Sequence, residues 1–114
     1  MDNLEEIVFS IIVHGGNARA KAYDALRAAQ NGDFKEAEEF LKEAEEELGN
    51  AHKIQTDIIQ KEAAGEKIDI SVLFVHAQDH LMTAIAEKGL IENMIDLYKR
   101  IDKLENDKYS KKNI

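Results

Sequence analysis

Proline is absent from all 114 residues. A chain without it has no residue that both removes a helical hydrogen bond and clashes with the preceding turn, so only glycine and capping chemistry are left to end a helix. Two short stretches use that chemistry. In "NGD", residues 31–33, Gly32 suits a left-handed helix end and Asp33 suits the N-cap of the next helix, with Glu36 at the spacing of a capping box. In "AGEKIDIS", residues 64–71, Gly65 closes one helix and Asp69 or Ser71 can cap another. Helices are therefore expected over residues 4–31, 34–64 and 71–104. Strand-like alternation of β-branched residues is absent. Short connections make neighbours antiparallel, which gives an all-α, up-down-up three-helix bundle over residues 1–104. The remaining 105–114 lack apolar periodicity and read as a frayed tail.

One domain of this length can close a single core. No cysteine is present, so disulfides and thiolate metal sites are excluded, and a reducing cytosol is compatible with the chain. A net charge of −8 with no offsetting basic stripe argues against nucleic acid. The apolar run "IVFSIIV" (7–13) is too short to span a membrane, and it follows an acidic start where a secretory signal would be basic. A soluble, cytoplasmic protein is expected.

The helices differ in what their faces require. Gly15 and Gly16 each cost about 1 kcal/mol against alanine inside a helix. They imply a kink or close helix packing, or else a flat surface beside a ligand. In helix two, Ala37, Phe40, Leu41, Ala44, Leu48, Ala51 and Ile58 trace an inward stripe, and its many glutamates read as a solvated face. His52 reads as a bundle-edge residue. Helix three carries two apolar stripes: Val75, Met82, Ala86, Leu90, Met94, Leu97, Ile101 and Leu104, and beside it Leu81, Ile85, Ile91, Ile95 and Tyr98. A lone bundle needs one stripe per helix, so the second implies packing against another subunit. Asp79 interrupts the first stripe. A carboxylate in an apolar seam must be paired, bridged by a cation or hydrated, and periodicity alone leaves these open.

The densest chemistry lies in "FVHAQDHLM", residues 74–82, which puts His76 and His80 four apart on one helix edge with Thr83 and Glu87. Zinc catalysis fits poorly: H-E-x-x-H fails because Ala77 stands at the glutamate position, and no third ligand is singled out. A nucleophilic histidine fits better, since a neutral imidazole is available near pH 7 and can attack a phosphoryl group without a base. His80, one turn on, could contact the transferred phosphate, and Gln78 is among the groups that could steady His76. Spacing by itself also allows an ordinary polar surface.

The order and spacing of "VHAQDHLM" (75–82), "HGGNARAKAYDAL" (14–26), "AHKIQTDIIQKEAAGE" (51–66) and "IDLYKR" (95–100) resemble the lactose/cellobiose-type enzyme IIA components of the bacterial phosphoenolpyruvate-dependent sugar phosphotransferase system. The resemblance covers roughly residues 5–103. It implies a homotrimer assembled through helix three. It also implies a phosphoryl group accepted from the phosphocarrier HPr on His76, through Nε2, and passed to enzyme IIB during uptake of a cellobiose- or lactose-type sugar. Asp79 then resembles the aspartate that meets its symmetry mates around a structural metal ion, usually Mg2+, on the oligomer axis. Gln78 and His80 resemble supporting residues of the same motif. The alternative is a non-catalytic, metal-binding helical oligomer or interaction module of the same fold.

Overall fold

The computed structural model describes the backbone of residues 2–112 and the side chains of 4–107. Three helices make up the fold: α1 (Asp2–Gln30), α2 (Phe34–Ala63) and α3 (Val72–Lys112). Together they form a rod of 71 × 21 × 19 Å.

Both connections close by the same device. Past α1, Gly32 adopts a left-handed φ of 82°. Its N–H donates to the Ala29 carbonyl, and the Asp33 N–H donates to Ala28 at 2.9 Å. Past α2, Gly65 takes φ 100°, and the N–H groups of Gly65 and Glu66 donate to Glu62 and Lys61. These paired bonds satisfy carbonyls that a helix end leaves without partners. The Asp33 carboxylate accepts from the Glu36 N–H at 3.0 Å. The reciprocal half of a capping box is not needed, because the Asp33 N–H is already used by Ala28. Of the two candidate caps for α3, Ser71 serves: its Oγ accepts from the Phe74 N–H at 3.1 Å.

The core has two parts. Around the α1–α2 turn it is largely alanine: Ala22, Ala25, Ala28, Ala29, Ala37 and Ala44 lie with Ile91 and Ile95, and Tyr23, Phe34, Phe40 and Tyr98 cover them. Such small residues let the helices approach closely. Nearer the start of α3, Val8, Ile11, Leu48, Ile58 and Leu81 supply bulk. Gln55 fills a gap in the α2 stripe and is only 7% exposed. Its amide hydrogen-bonds the Gln78 side chain, which satisfies a polar group that would otherwise be costly to bury.

Two features differ from the sequence expectation. The helical backbone of α3 runs to Lys112, past residue 104 where the apolar periodicity ends. That extension contains neither glycine nor proline, and Asn106 donates to Asp102 one turn back at 3.3 Å. The α2 glutamates are exposed apart from the half-buried Glu47, yet several tie helices together. Glu38 pairs with Lys99 at 2.6 Å, Glu43 with Lys21 at 3.0 Å and Glu47 with His14 at 2.5 Å. Glu45 pairs with Lys88.

These pairs set the register: α1 and α3 run parallel, with α2 antiparallel to both. Gly15 settles its alternatives in favour of close packing. A Cβ added there would stand 3.8 Å from Leu81 Cα and 3.9 Å from the His80 carbonyl. The helix continues through it, and Gly16 has open space.

Candidate functional site

The edge of α3 that carries the two histidines is fixed from beneath. Ala77 and Leu81, which follow His76 and His80, are fully buried. His76 is therefore exposed and His80 half-buried while the backbone under both is packed. The imidazoles meet edge to face, with ring centroids 5.3 Å apart and an interplanar angle of 88°. Gly15 brings α1 against the α3 backbone at this level, and Arg19, one turn further along α1, reaches the same place.

The result is a shallow cleft of about 270 Å³ lined by Arg19, His76, Asp79, His80 and Thr83. His76, Asp79 and His80 thus come together, as the sequence suggests. None of the α2 glutamates lines the cleft. Gln78 lies on the other side of α3, facing α2 through its bond to Gln55. There it lines an adjoining apolar groove with Ile58, Phe74 and Val75. Asp79 borders both cavities.

Arg19 was not legible as a site residue. Its Nε donates to Glu87 Oε2 at 2.8 Å, and its guanidinium sits 5.8 Å from the centre of the Tyr23 ring. The bond and charge of Glu87 hold the Arg19 pKa above its usual value. In sequence it is one of 15 basic residues. Its spacing of four from Gly15 was the only clue that it faces α3.

The two stripes of α3 separate except at Ile85, which belongs to the inward stripe by spacing yet is 36% exposed. Leu81, Ile91 and Ile95 are buried against the bundle. Val75, Met82, Leu90, Met94, Leu97, Ile101 and Leu104 lie on the opposite side and are 43–68% exposed. Asp79 is exposed within this outward row. Among the described residues no three or more His, Cys, Asp or Glu side chains of one chain could hold a metal ion. No helix among the described residues is long and apolar enough to cross a membrane.

Comparison with known proteins gives a consistent result. Residues 6–99 match the family model of the phosphotransferase-system lactose/cellobiose-specific IIA subunit. The chain is 49% identical over 100 residues to the lichenan-specific phosphotransferase enzyme IIA component of Bacillus subtilis, covering 88% of this chain and 91% of the relative. Among solved structures, it is similar to the cellobiose-specific enzyme IIA of Bacillus anthracis, with a TM-score of 0.86 and 49% identity over 90% of this chain and 94% of the other. The chitobiose IIA of Escherichia coli, solved in complex with HPr, gives a TM-score of 0.76 at 37% identity, with coverages of 87% and 96%. A three-helix rod with an exposed histidine on its third helix, matched along nearly its whole length, belongs to the lactose/cellobiose-specific IIA family of the sugar phosphotransferase system.

Proposed function

We propose that His76 is the phosphoryl-carrying residue of this IIA component, loaded by phospho-HPr and unloaded by an enzyme IIB in the cytoplasm. The observation that carries this reading is the placement of His76: exposed at the rim of a cleft, on a helix turn held by buried Ala77, beside His80 and Arg19. A relative of the same fold is known in complex with HPr.

The step needs no base. The lone pair of His76 Nε2 attacks phosphorus in line with the donor's N–P bond. As the new N–P bond forms, the electron pair of the old one returns to the donor imidazole. The proton on His76 Nδ1 stays where it is. Transfer from a phosphoimidazolium donor to a neutral acceptor therefore leaves the proton count of each ring balanced. Enzyme IIB reverses the geometry with its own nucleophile, so the two partners compete for one face. The protein contributes positioning and charge.

The exposed apolar row of α3 is the assembly face, and a homotrimer is the assembly proposed. Burying side chains of this size removes apolar surface worth about 25 cal/mol per Å² from water. Asp79 of each copy then approaches the axis. One chain offers one carboxylate there, and several copies together offer the hard oxygen ligands that suit Mg2+. Such an ion, when bound, neutralises converging carboxylates, and its role is structural.

Intact mass after incubation with phosphoenolpyruvate, enzyme I and HPr tests the carrier role. One acid-labile phosphoryl group is expected on the chain and none on His76→Ala. An unmodified chain beside fully phosphorylated HPr overturns the reading.

A further inference from the structure

We propose that Arg19 is a phosphoryl-binding residue of this site, paired with Glu87 while His76 is bare and exchanging that carboxylate for the phosphoryl group when His76 carries it. This rests on the carrier role of His76.

Of the five residues lining the cleft, Arg19 alone bears a fixed positive charge. The need for one is plain. A phosphoryl group brings about two negative charges at pH 7. It arrives on a chain of net charge −8, beside the Asp79 carboxylate that borders the same cleft. His80 supplies positive charge only in its protonated form. A guanidinium remains charged throughout and presents donors in a planar fork that matches phosphoryl oxygens.

The present partner of Arg19 resembles the proposed one. Glu87 Oε2 accepts from Nε, as a phosphoryl oxygen can accept from the same planar fork. His76, His80, Thr83 and Glu87 follow one another along the same edge of α3. Arg19 therefore approaches from the Thr83 end, and its movement runs along the cleft toward His80 and the phosphoryl oxygens turned that way. It is exposed enough to make that move, at 49% for its side chain, while Gly15 fixes its root one turn below. No proton moves in the exchange, since the guanidinium changes only its acceptor, from carboxylate oxygen to phosphoryl oxygen.

The test compares the unmodified chain with Arg19→Gln, Arg19→Lys and Glu87→Gln, using phospho-HPr as donor. Rates are resolved into kcat and KM, and the hydrolysis half-life and phosphorus NMR shift of the phosphorylated form are measured. For Arg19→Gln, kcat should fall by about 10- to 100-fold with KM nearly unchanged, as expected when a charge-stabilising donor is lost. The phosphorus resonance should also move. Arg19→Lys should recover part of kcat. Glu87→Gln breaks the same ion pair but frees Arg19, so it should transfer at least as fast as the parent.

If Arg19 is merely a strut between α1 and α3, Arg19→Gln and Glu87→Gln will slow transfer alike, which overturns the proposal. Parental kcat and an unshifted resonance in Arg19→Gln overturn it too, while leaving His76 as the carrier. A parent chain that accepts no phosphoryl group overturns both readings together.

Discussion

The amide of Gln55, buried on α2, hydrogen-bonds the amide of Gln78 on α3, so the glutamine inside the histidine motif is turned toward the bundle. This contact joins two helices that otherwise touch each other less than either touches α1. Gln78→Ala should leave the Gln55 amide buried without a partner and cost about 1–3 kcal/mol. Urea denaturation reads the loss, and phosphorylation of His76 should survive it. Replacing both glutamines with leucine should restore much of the stability, whereas a loss of phosphoryl transfer in Gln78→Ala at full stability would assign that residue to the cleft.

His76 and His80 should separate by kinetics. His76→Ala should abolish acceptance of a phosphoryl group, because the proposed attacking nitrogen is gone. His80→Ala should still become phosphorylated, at about a tenth to a hundredth of the rate, since it loses a neighbouring polar contact rather than the attacking atom. Single-turnover assays with phospho-HPr distinguish the two.

The exposed row on α3 predicts the behaviour of Leu90→Lys and Met94→Glu. Both positions lie away from the chain's own core. Each substitution should dissociate the assembly in sedimentation velocity while leaving circular dichroism helical. Retained assembly in the double variant would rule out this face.

Asp79 predicts a response to chelation. In the proposed trimer, EDTA should lower the thermal midpoint and Mg2+ should restore it, because removing the proposed ion would leave like charges facing one another. Asp79→Asn should be insensitive to both. An equal EDTA effect in the two proteins would place the ion elsewhere.

Lys88 predicts a difference at alkaline pH. Its side chain is 12% exposed and contacts Glu45 on α2 and Glu92 on α3. Burial alone lowers its pKa, but the bonds and charges of Glu45 and Glu92 outweigh that and leave it raised. A raised folded value means that the stabilisation is complete below the unfolded lysine pKa of about 10.4 and is lost as pH rises through the folded value. Lys88→Met should therefore be less stable than the parent near neutrality, and the gap should narrow above about pH 10.4. A gap constant to pH 11.5 would contradict the assignment.

The helices, their ends and the division of α3 into two rows were legible because each rests on local chemistry. Gly32 and Gly65 adopt the left-handed conformation their positions suggest. Periodicity alone predicts that Leu81 and Met82 point apart, and they are buried and exposed respectively. His76, Asp79 and His80 could be grouped because they share one helix. Arg19 could not, since its nearness to them depends on the offset between α1 and α3, which close packing at Gly15 sets. Gln55 was hidden for a related reason: its partner lies 23 residues away. The end of α3 was not legible, because apolar periodicity reports burial, and a helix can continue on propensity where nothing is buried.

That continuation gives the molecule two chemically unlike poles. His76 lies in the second turn of α3 and Lys112 ends it as the last of its 41 residues. At 1.5 Å per residue, about 54 Å of helix separates the two. A fluorophore or affinity handle joined beyond Lys112 would stand clear of any protein docked over the histidines. An energy-transfer signal from there would report the arrival of a labelled partner without touching the face on which it lands.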